Sequence, residues 1–503
     1  MAGPGAFLRL IGAGWTLVRN DALMPRELDA LYPGVVRTLS RALRLFAGRE
    51  ARQGRPGERL ARSLERLGPV AIKLGQLLST RADMFGQQFA EDLSHLKDRL
   101  PPFPTGIARA EVEQALGRRI DTLFATFGEP VAAASLAQAH EATLLDGRRV
   151  AVKVLRPAIA RRVADDAEVL SLAARLVEAW APAARRLEPR AFAATVIRAT
   201  EIELDLRLEA AGADELGEVM RRDGYMTAPA VIWEGVGKRV LTMEWAKGRP
   251  LSEADALQQP GLDRRALADN LIRGFLSQAL DVGVFHADLH EGNLFIAAPA
   301  QLTAVDYGII GRLGAPERRY LAEILWGFLQ RDYERIAQVH FDAGYVPREH
   351  SVSAFAQALR AVGEPIFGRA AADVPMSRVL TQLFEITALF DMRLRPELVL
   401  LQKTMMTVEG VARRIDPEHD IWAAADPVVR RWIARELSPL SRLRRFAEEA
   451  EVVVRNLARL AQEPPVPTAV AVVEQRSEPP RFLWFALGAL AAGLTFLAAQ
   501  VLA

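Results

Sequence analysis

The chain is 503 residues long, half of them hydrophobic and a quarter charged, with a net charge of only +2. That is enough apolar material for a large core or several domains. It has no cysteine, which excludes disulfides, thiolate metal sites and cysteine nucleophiles, and the near-neutral balance gives no case for nucleic acid as a partner.

In chain order, residues 1–66 read as a basic helical region. In VVRTLSRALRLF, Val35, Val36, Leu39, Leu43 and Phe46 share one helical face, with Arg37, Arg41 and Arg44 beside it. Such a helix either lies on an anionic membrane surface or packs as a solvated helix on the domain. Residues 67–118 form a second helical block. It opens at Gly68-Pro69, where proline suits a first helical turn, carries AIKLGQLLSTRADMF, and breaks at LPPFPTG before a short helix at 107–118. From 119 to 250 the pattern is β-rich with inserted helices. Asp146-Gly147 signals a hairpin, a long charged helical stretch covers 159–222, and strands return at VIWE and RVLTMEW. Helices dominate 251–460. Residues 461–480 hold five prolines and read as an extended tether. Phe482 to Ala503 carries no charge; as a helix it would span roughly 33 Å against a hydrocarbon core of about 30 Å. A single transmembrane helix at 481–503 is therefore expected, with Arg476 and Arg481 favouring a cytoplasmic body on the inner (cytoplasmic) membrane. The spacing of Gly488 and Ala492, or of Ala489 and Gly493, would let two such helices pair in a homodimer. A small β-rich lobe followed by a larger helical one is the order of a two-lobed, protein-kinase-like α+β fold.

The chemical residues follow the same order. FHADLHEGNLFI places Asp288 and Asn293 five apart, the spacing of a kinase catalytic loop, and Asp306 in VDYGIIG stands where kinases carry D-F-G. ATP needs a Mg2+ that bridges its phosphates, and the Asn293 amide and Asp306 carboxylate are hard oxygen donors suited to that ion. Asp288 then orients or deprotonates a nucleophile. Val150-Ala151-Val152-Lys153 fits the strand whose lysine meets the α- and β-phosphates, and Glu209 is the candidate for its helix partner. Leu241 to Trp245, including Glu244, reads as the strand into a hinge where backbone groups face adenine. Each element alone is common; the ordered set of Lys153, Asp288, Asn293 and Asp306 is what points to ATP and Mg2+. A competing assignment makes His286, Asp288 and His290 the metal ligands of a hydrolase, but leaves Lys153 and Asp306 without a role.

Three departures point away from phosphorylating protein side chains. Ala287 replaces the arginine that ordinarily receives an activation-loop phosphate. Ala315-Pro316-Glu317 comes only nine residues after Asp306 and reads as a helix start. The phosphate loop is Ala132-Ala133-Ala134-Ser135, and alanine resists the positive φ and close backbone approach that glycine permits. This cradle should be stiffer. Only six residues are lysine (Lys73, Lys97, Lys153, Lys238, Lys247 and Lys403) against 58 arginines; a GC-rich coding bias is the first explanation, and against it a retained lysine is mildly informative, since arginine does not reproduce its compact charge.

With these residues in place the chain resembles the UbiB family of atypical kinase-like proteins of ubiquinone biosynthesis, which includes mitochondrial coenzyme Q relatives. The resemblance covers roughly residues 60–420. It rests on Lys73-Leu74-Gly75-Gln76 with Leu78 to Asp83 (the K-x-G-Q helix), Ala132 to His140 (the alanine-rich loop), Glu203-Leu204-Asp205 (E-x-D), and His286 to Asn293 with Asp306-Tyr307-Gly308. It implies that the K-x-G-Q helix folds over the site a peptide substrate would occupy. It also implies that Lys73 and Gln76 point toward the nucleotide, and that Lys73 pairs with the acids Glu203 and Asp205. Asp205 and Glu209 stand at i and i+4, so one helix face can carry both. Two departures from the family are Gly212, where asparagine is frequent, and one C-terminal span where many bacterial members have two. The expected function is a membrane-anchored, kinase-like ATPase supporting ubiquinone synthesis through polyprenylated intermediates. Its expected partners are membrane lipid, quinone precursors and ubiquinone-biosynthesis enzymes. A small-molecule or protein phosphotransferase and a nucleotide-switched non-catalytic scaffold remain open.

Overall fold

The computed structural model describes residues 4–27, 34–79, 86–94, 96, 101–180, 185, 188–367, 386, 389–392 and 396–436. The chain begins with helices α1 (Pro4–Arg19), α2 (Gly34–Leu43), α3 (Pro56–Leu67), α4 (Pro69–Ser79) and α5 (Gln87–Ser94). Of the apolar face expected around α2, the side chains of Val35, Val36 and Leu39 lie outside the description, and Phe46 is exposed. Gly68, with φ +116°, turns the chain sharply between α3 and α4. Ala61, Leu64 and Leu93 then seal α3, α4 and α5 together. Gly75 permits this approach: a Cβ there would lie 2.3 Å from Leu96 Cδ1 and 2.7 Å from Leu64 Cδ1.

Helix α6 (Thr105–Leu116) leads into a four-stranded antiparallel sheet of order β1-β2-β3-β4, with β1 Phe124–Ala133, β2 Ala137–Leu144, β3 Arg149–Leu155 and β4 Val240–Glu244. The β2–β3 hairpin turns at Asp146 and Gly147 (φ +86°), and Asp146 Oδ1 accepts from Arg148 N at 3.0 Å. Along β3, Val150, Val152 and Val154 are fully buried. They form this lobe's core with Val112, Phe124 and Val240. The two-residue period of a strand then puts Lys153 on the opposite face.

The charged stretch 159–222 is three helices rather than one: α7 (Ile159–Trp180), α8 (Pro189–Glu203) and α9 (Leu206–Asp223). The break between α8 and α9 falls on the E-x-D residues, because Asp205 caps α9, its Oδ1 accepting from Arg207 N at 3.2 Å. VIWE is not a strand: Val231 makes a single bridge to Met243, and Trp233–Gly235 is a 3-10 turn.

The second lobe opens with β5 (Arg249–Pro250) and α10 (Arg264–Ser277), followed by a π-helical turn at Gln278–Val282. Short strands β6 (Val284–His286), β7 (Leu294–Ala297), β8 (Gln301–Ala304) and β9 (Ile310–Arg312) frame the expected catalytic loop, paired as β5-β7-β8 and β6-β9. Helical periodicity around them hid these three- and four-residue strands in the sequence. Helices α11 (Ala315–Gln330), α12 (Tyr333–Asp342), α13 (Val352–Phe367), α14 (Pro396–Ile415) and α15 (Ile421–Glu436) complete the lobe. Leu271, Phe275, Phe285, Leu294, Val408 and Val428 belong to one core that fastens α10, α14 and α15 to the strands.

The expected single transmembrane helix is corrected here. Among the described residues no helix is long and apolar enough to cross a membrane. The stretch that carried the expectation, 481–503, lies outside the described residues, as does the tether at 461–480. The membrane localisation that rested on that helix falls with it.

Candidate active site

Three elements meet at Lys153. Strand β3 carries the lysine, the first turn of α9 carries Glu209, and the connection from β8 to β9 carries Asp306. Lys153 Nζ lies 2.7 and 3.0 Å from the two Glu209 oxygens and 3.0 Å from Asp306 Oδ1. One ammonium thus ties the β-lobe, its helix and the second lobe together. Burial would lower the Lys153 pKa, but the Asp306 and Glu209 carboxylates more than offset this and raise it. Lys153 in turn holds the Asp306 carboxyl well below the usual carboxylate range. Burial pushes Glu209 up to about 7, with Lys153 opposing. Asp306 sits at φ +62°, a left-handed conformation that aspartate tolerates better than most residues.

The loop from His286 to Asn293 is pinned by its own hydrogen bonds. His286 is fully buried; its Nε2 donates to Val305 O at 3.0 Å and its Nδ1 accepts from Asp288 N at 3.1 Å. Burial lowers its pKa, which keeps the ring neutral. Asn293 Nδ2 donates to Asp288 O at 3.0 Å. Val305 N donates to Asn293 O at 2.9 Å, and Ala287 N to Ile309 O at 3.0 Å. Tyr307, also buried, donates to Ala304 O at 2.9 Å. The Asp288 carboxylate stays partly open, with Oδ2 3.6 Å from His290 Nε2. Both His286 ring nitrogens are engaged, so the alternative metal set of His286, Asp288 and His290 does not assemble. Among the described residues no cluster of three or more His, Asp or Glu side chains is placed to hold a metal.

The α4 extension reaches the same region. Lys73, 8 % exposed, forms an ion pair with Glu203 at the end of α8. Asp205 does not join it: its carboxylate is taken by Arg207, 2.6 Å away. Its capping position also removes it from the face that carries Glu209. Gln76 lies half-buried one turn beyond Lys73, and its carbonyl accepts from Ser79 Oγ at 2.7 Å.

The alanine-rich loop is a tight hairpin. Ala132 and Ala133 end β1, paired with Ala139 and Gln138. Ala134 N donates to Ala137 O at 2.8 Å, and Ser135 is buried. Arg156 clamps the turn, with Nε donating to Ala134 O and its backbone N to Leu136 O, both at 2.8 Å. Two further positions went unassigned in the sequence. Gln138 exchanges hydrogen bonds with the Phe103 backbone (2.8 and 3.0 Å) and reaches His140 Nε2 at 2.8 Å. His140 Nδ1 donates to Gly128 O at 2.9 Å. Their alternation on β2 was the available signal; they fasten the 101–103 segment to the sheet. Glu244 closes β4 at the outer edge, its Oε1 3.7 Å from Arg148 Nη1, and the adjacent Trp245 lies under the Arg149 guanidinium at 4.9 Å. Gly212 faces the segment after Asp306: a Cβ there would lie 2.1 Å from Ile310 Cδ1.

A β-lobe and a helical lobe joined through one shared ammonium make this a kinase-like protein. The ABC1 atypical kinase-like domain matches residues 95–340, and the UbiB helical domain matches 359–420. A probable protein kinase UbiB of Pseudomonas paraeruginosa is 39 % identical over 468 residues, covering 91 % of this chain and 87 % of that one. The corresponding protein of Marinobacter nauticus is 40 % identical over 388 residues, covering 76 % and 71 %. The solved structure of Mycobacterium tuberculosis Rv3197 with erythromycin superposes with a TM-score of 0.50 at 20 % identity, covering 73 % of this chain and 93 % of that one, a likeness of fold. The chain belongs to the UbiB family.

Proposed function

We propose that this chain binds Mg·ATP between its lobes and hydrolyses it, coupling turnover to the handling of polyprenylated precursors in ubiquinone biosynthesis. The observation that carries the reading is Lys153 held simultaneously on Glu209 and Asp306. The donor chemistry fits the ligand. Asn293 spends its NH2 on the Asp288 carbonyl, which leaves Oδ1 for a hard cation beside the ionised Asp306. Bound Mg·ATP would supply the γ-phosphoryl group and the divalent charge that neutralises it. Lys153 offers positive charge to the phosphates, and Asp288, with an open carboxylate, orients a water. The Lys73–Glu203 pair holds α4 against α8, which supports exclusion of a peptide substrate. The quinone assignment rests on the family and on the names of its relatives.

The test is ATP turnover by the purified chain with and without a prenylphenol in mixed micelles, alongside Asp306→Asn. Turnover that rises with the lipid and is lost in the variant is expected. Turnover indifferent to Asp306 overturns the reading. The open Asp288 carboxylate also suits a hydroxyl acceptor, so label moving from γ-labelled ATP to the prenylphenol would replace hydrolysis with phosphotransfer.

A further inference from the structure

One lysine at the cleft has no role in the site described above. Lys403 lies on α14, half-buried, and α14 is fastened to the catalytic loop at two residues that follow it. Thr404 Oγ1 donates to Ala287 O at 3.1 Å, and Arg414 pairs with Glu291. The charged groups that act on the Lys403 ammonium are Asp288, which favours its charge, and Lys73, which opposes it. Among the described residues no carboxylate pairs with it and no acceptor takes its protons. A half-buried ammonium with no direct partner gains from an anion that completes its site.

The other cations nearby are committed. Lys153 is shared between Glu209 and Asp306, and Lys73 is held by Glu203. Leu289 to Gly292, the loop between Asp288 and Asn293, contains neither lysine nor arginine. The alanine-rich hairpin contributes no cationic side chain between Ala132 and Ala137. We propose that Lys403 is the cation that meets the γ-phosphoryl group of ATP from the helical lobe, on the Asp288 side of the cleft. The inference rests on the ATP-site reading and adds a phosphate contact supplied from the far end of the chain. A lysine suits the task because its ammonium is a compact point charge on a flexible stem.

A comparison of ATP with ADP isolates the contact, since only ATP carries the third phosphate. Mg·ATP and Mg·ADP are titrated calorimetrically into the full chain and into Lys403→Gln, Lys403→Met and Lys403→Arg. Removing one charge-assisted bond should weaken ATP by about tenfold to a hundredfold. ADP should stay within about twofold, and arginine should restore only part of the loss, because it keeps the charge but not the compact ammonium. Equal losses for ATP and ADP, or no loss for either, overturn the inference while leaving the ATP site standing. If Lys403→Gln and Lys403→Met both fail to fold, the lysine is structural and the inference falls. A wild-type chain that binds neither nucleotide overturns the ATP-site reading and this inference with it.

Discussion

Replacing Lys73 by methionine tests the join between the helical extension and the cleft. The Lys73 and Glu203 side chains are 11 % and 22 % exposed, so the substitution strands a largely buried carboxylate. Losing one partner of a fully buried pair costs about 3–5 kcal/mol. Here Asp306 opposes the Glu203 charge and Lys153 favours it, so they offset, and the solvent that Glu203 keeps brings the expected loss to about 2–3 kcal/mol near neutral pH. The sign with pH follows from the carboxyl. Burial already raises the Glu203 pKa, with Lys73 as the main opposing influence, and without Lys73 it rises further. A raised carboxyl favours the folded state at low pH and loses that contribution as pH rises through the folded value. The Lys73→Met deficit should therefore be large at about pH 8 and shrink toward about pH 5. Lys73→Met with Glu203→Gln should recover all but about 1 kcal/mol, because the stranded charge is gone. Urea unfolding of the four proteins at both pH values supplies the cycle. A coupling energy below about 0.5 kcal/mol at the higher pH, or a Lys73→Met deficit that grows on acidification, would refute the reasoning.

Other outcomes follow from single contacts. Asp166 is raised to about 6 by burial, and its Oδ2 is buried without a hydrogen bond. Asp166→Asn should leave stability unchanged near pH 4 and add about 1–2 kcal/mol above pH 6, measured by denaturant melts. Gln138→Ala strands the Phe103 N–H and C=O, so it should cost about 1–3 kcal/mol and speed amide exchange at 101–104. Gly75→Ala forces Leu64 and Leu96 aside at a cost of about 1–3 kcal/mol, toward the lower end because both contacts are flexible side-chain tips; thermal melting reads it.

The residues that touch one another across the cleft were legible because their chemistry demands them in a fixed order. Lys153, Asp288, Asn293 and Asp306 stand out as a spaced set in the one-dimensional chain, and β3's alternating valines say which way Lys153 points. Helix breaks were harder. Nothing in the charge pattern of 159–222 marks the end of α7 at Trp180 or the start of α8 at Pro189, and Asp205 reads equally well as a mid-helix acid or a cap. Only the backbone at Leu204 decides, and it sends the carboxylate to Arg207 rather than Lys73. Gly212 has a similar lesson. In sequence it is only a departure from the family's asparagine, whereas in the fold it makes room for Ile310, a packing constraint no spacing rule reveals. The short strands around 284–312 are held by long-range pairing, which local periodicity does not record.

The brevity of the stretch between Asp306 and β9 carries a pharmacological consequence. Kinases with a long mobile segment there can turn the aromatic residue of the triad outward, and packing of that residue separates their active and inactive forms. Here Tyr307 is locked by Ala304, and β9 is laced to β6 within four residues of Asp306. The segment that carries the aspartate is therefore held on its C-terminal side. Compounds that wedge behind an outward-turned triad should find no back pocket in this protein, leaving inhibitors to compete in the nucleotide cleft or to pry α4 from its seat.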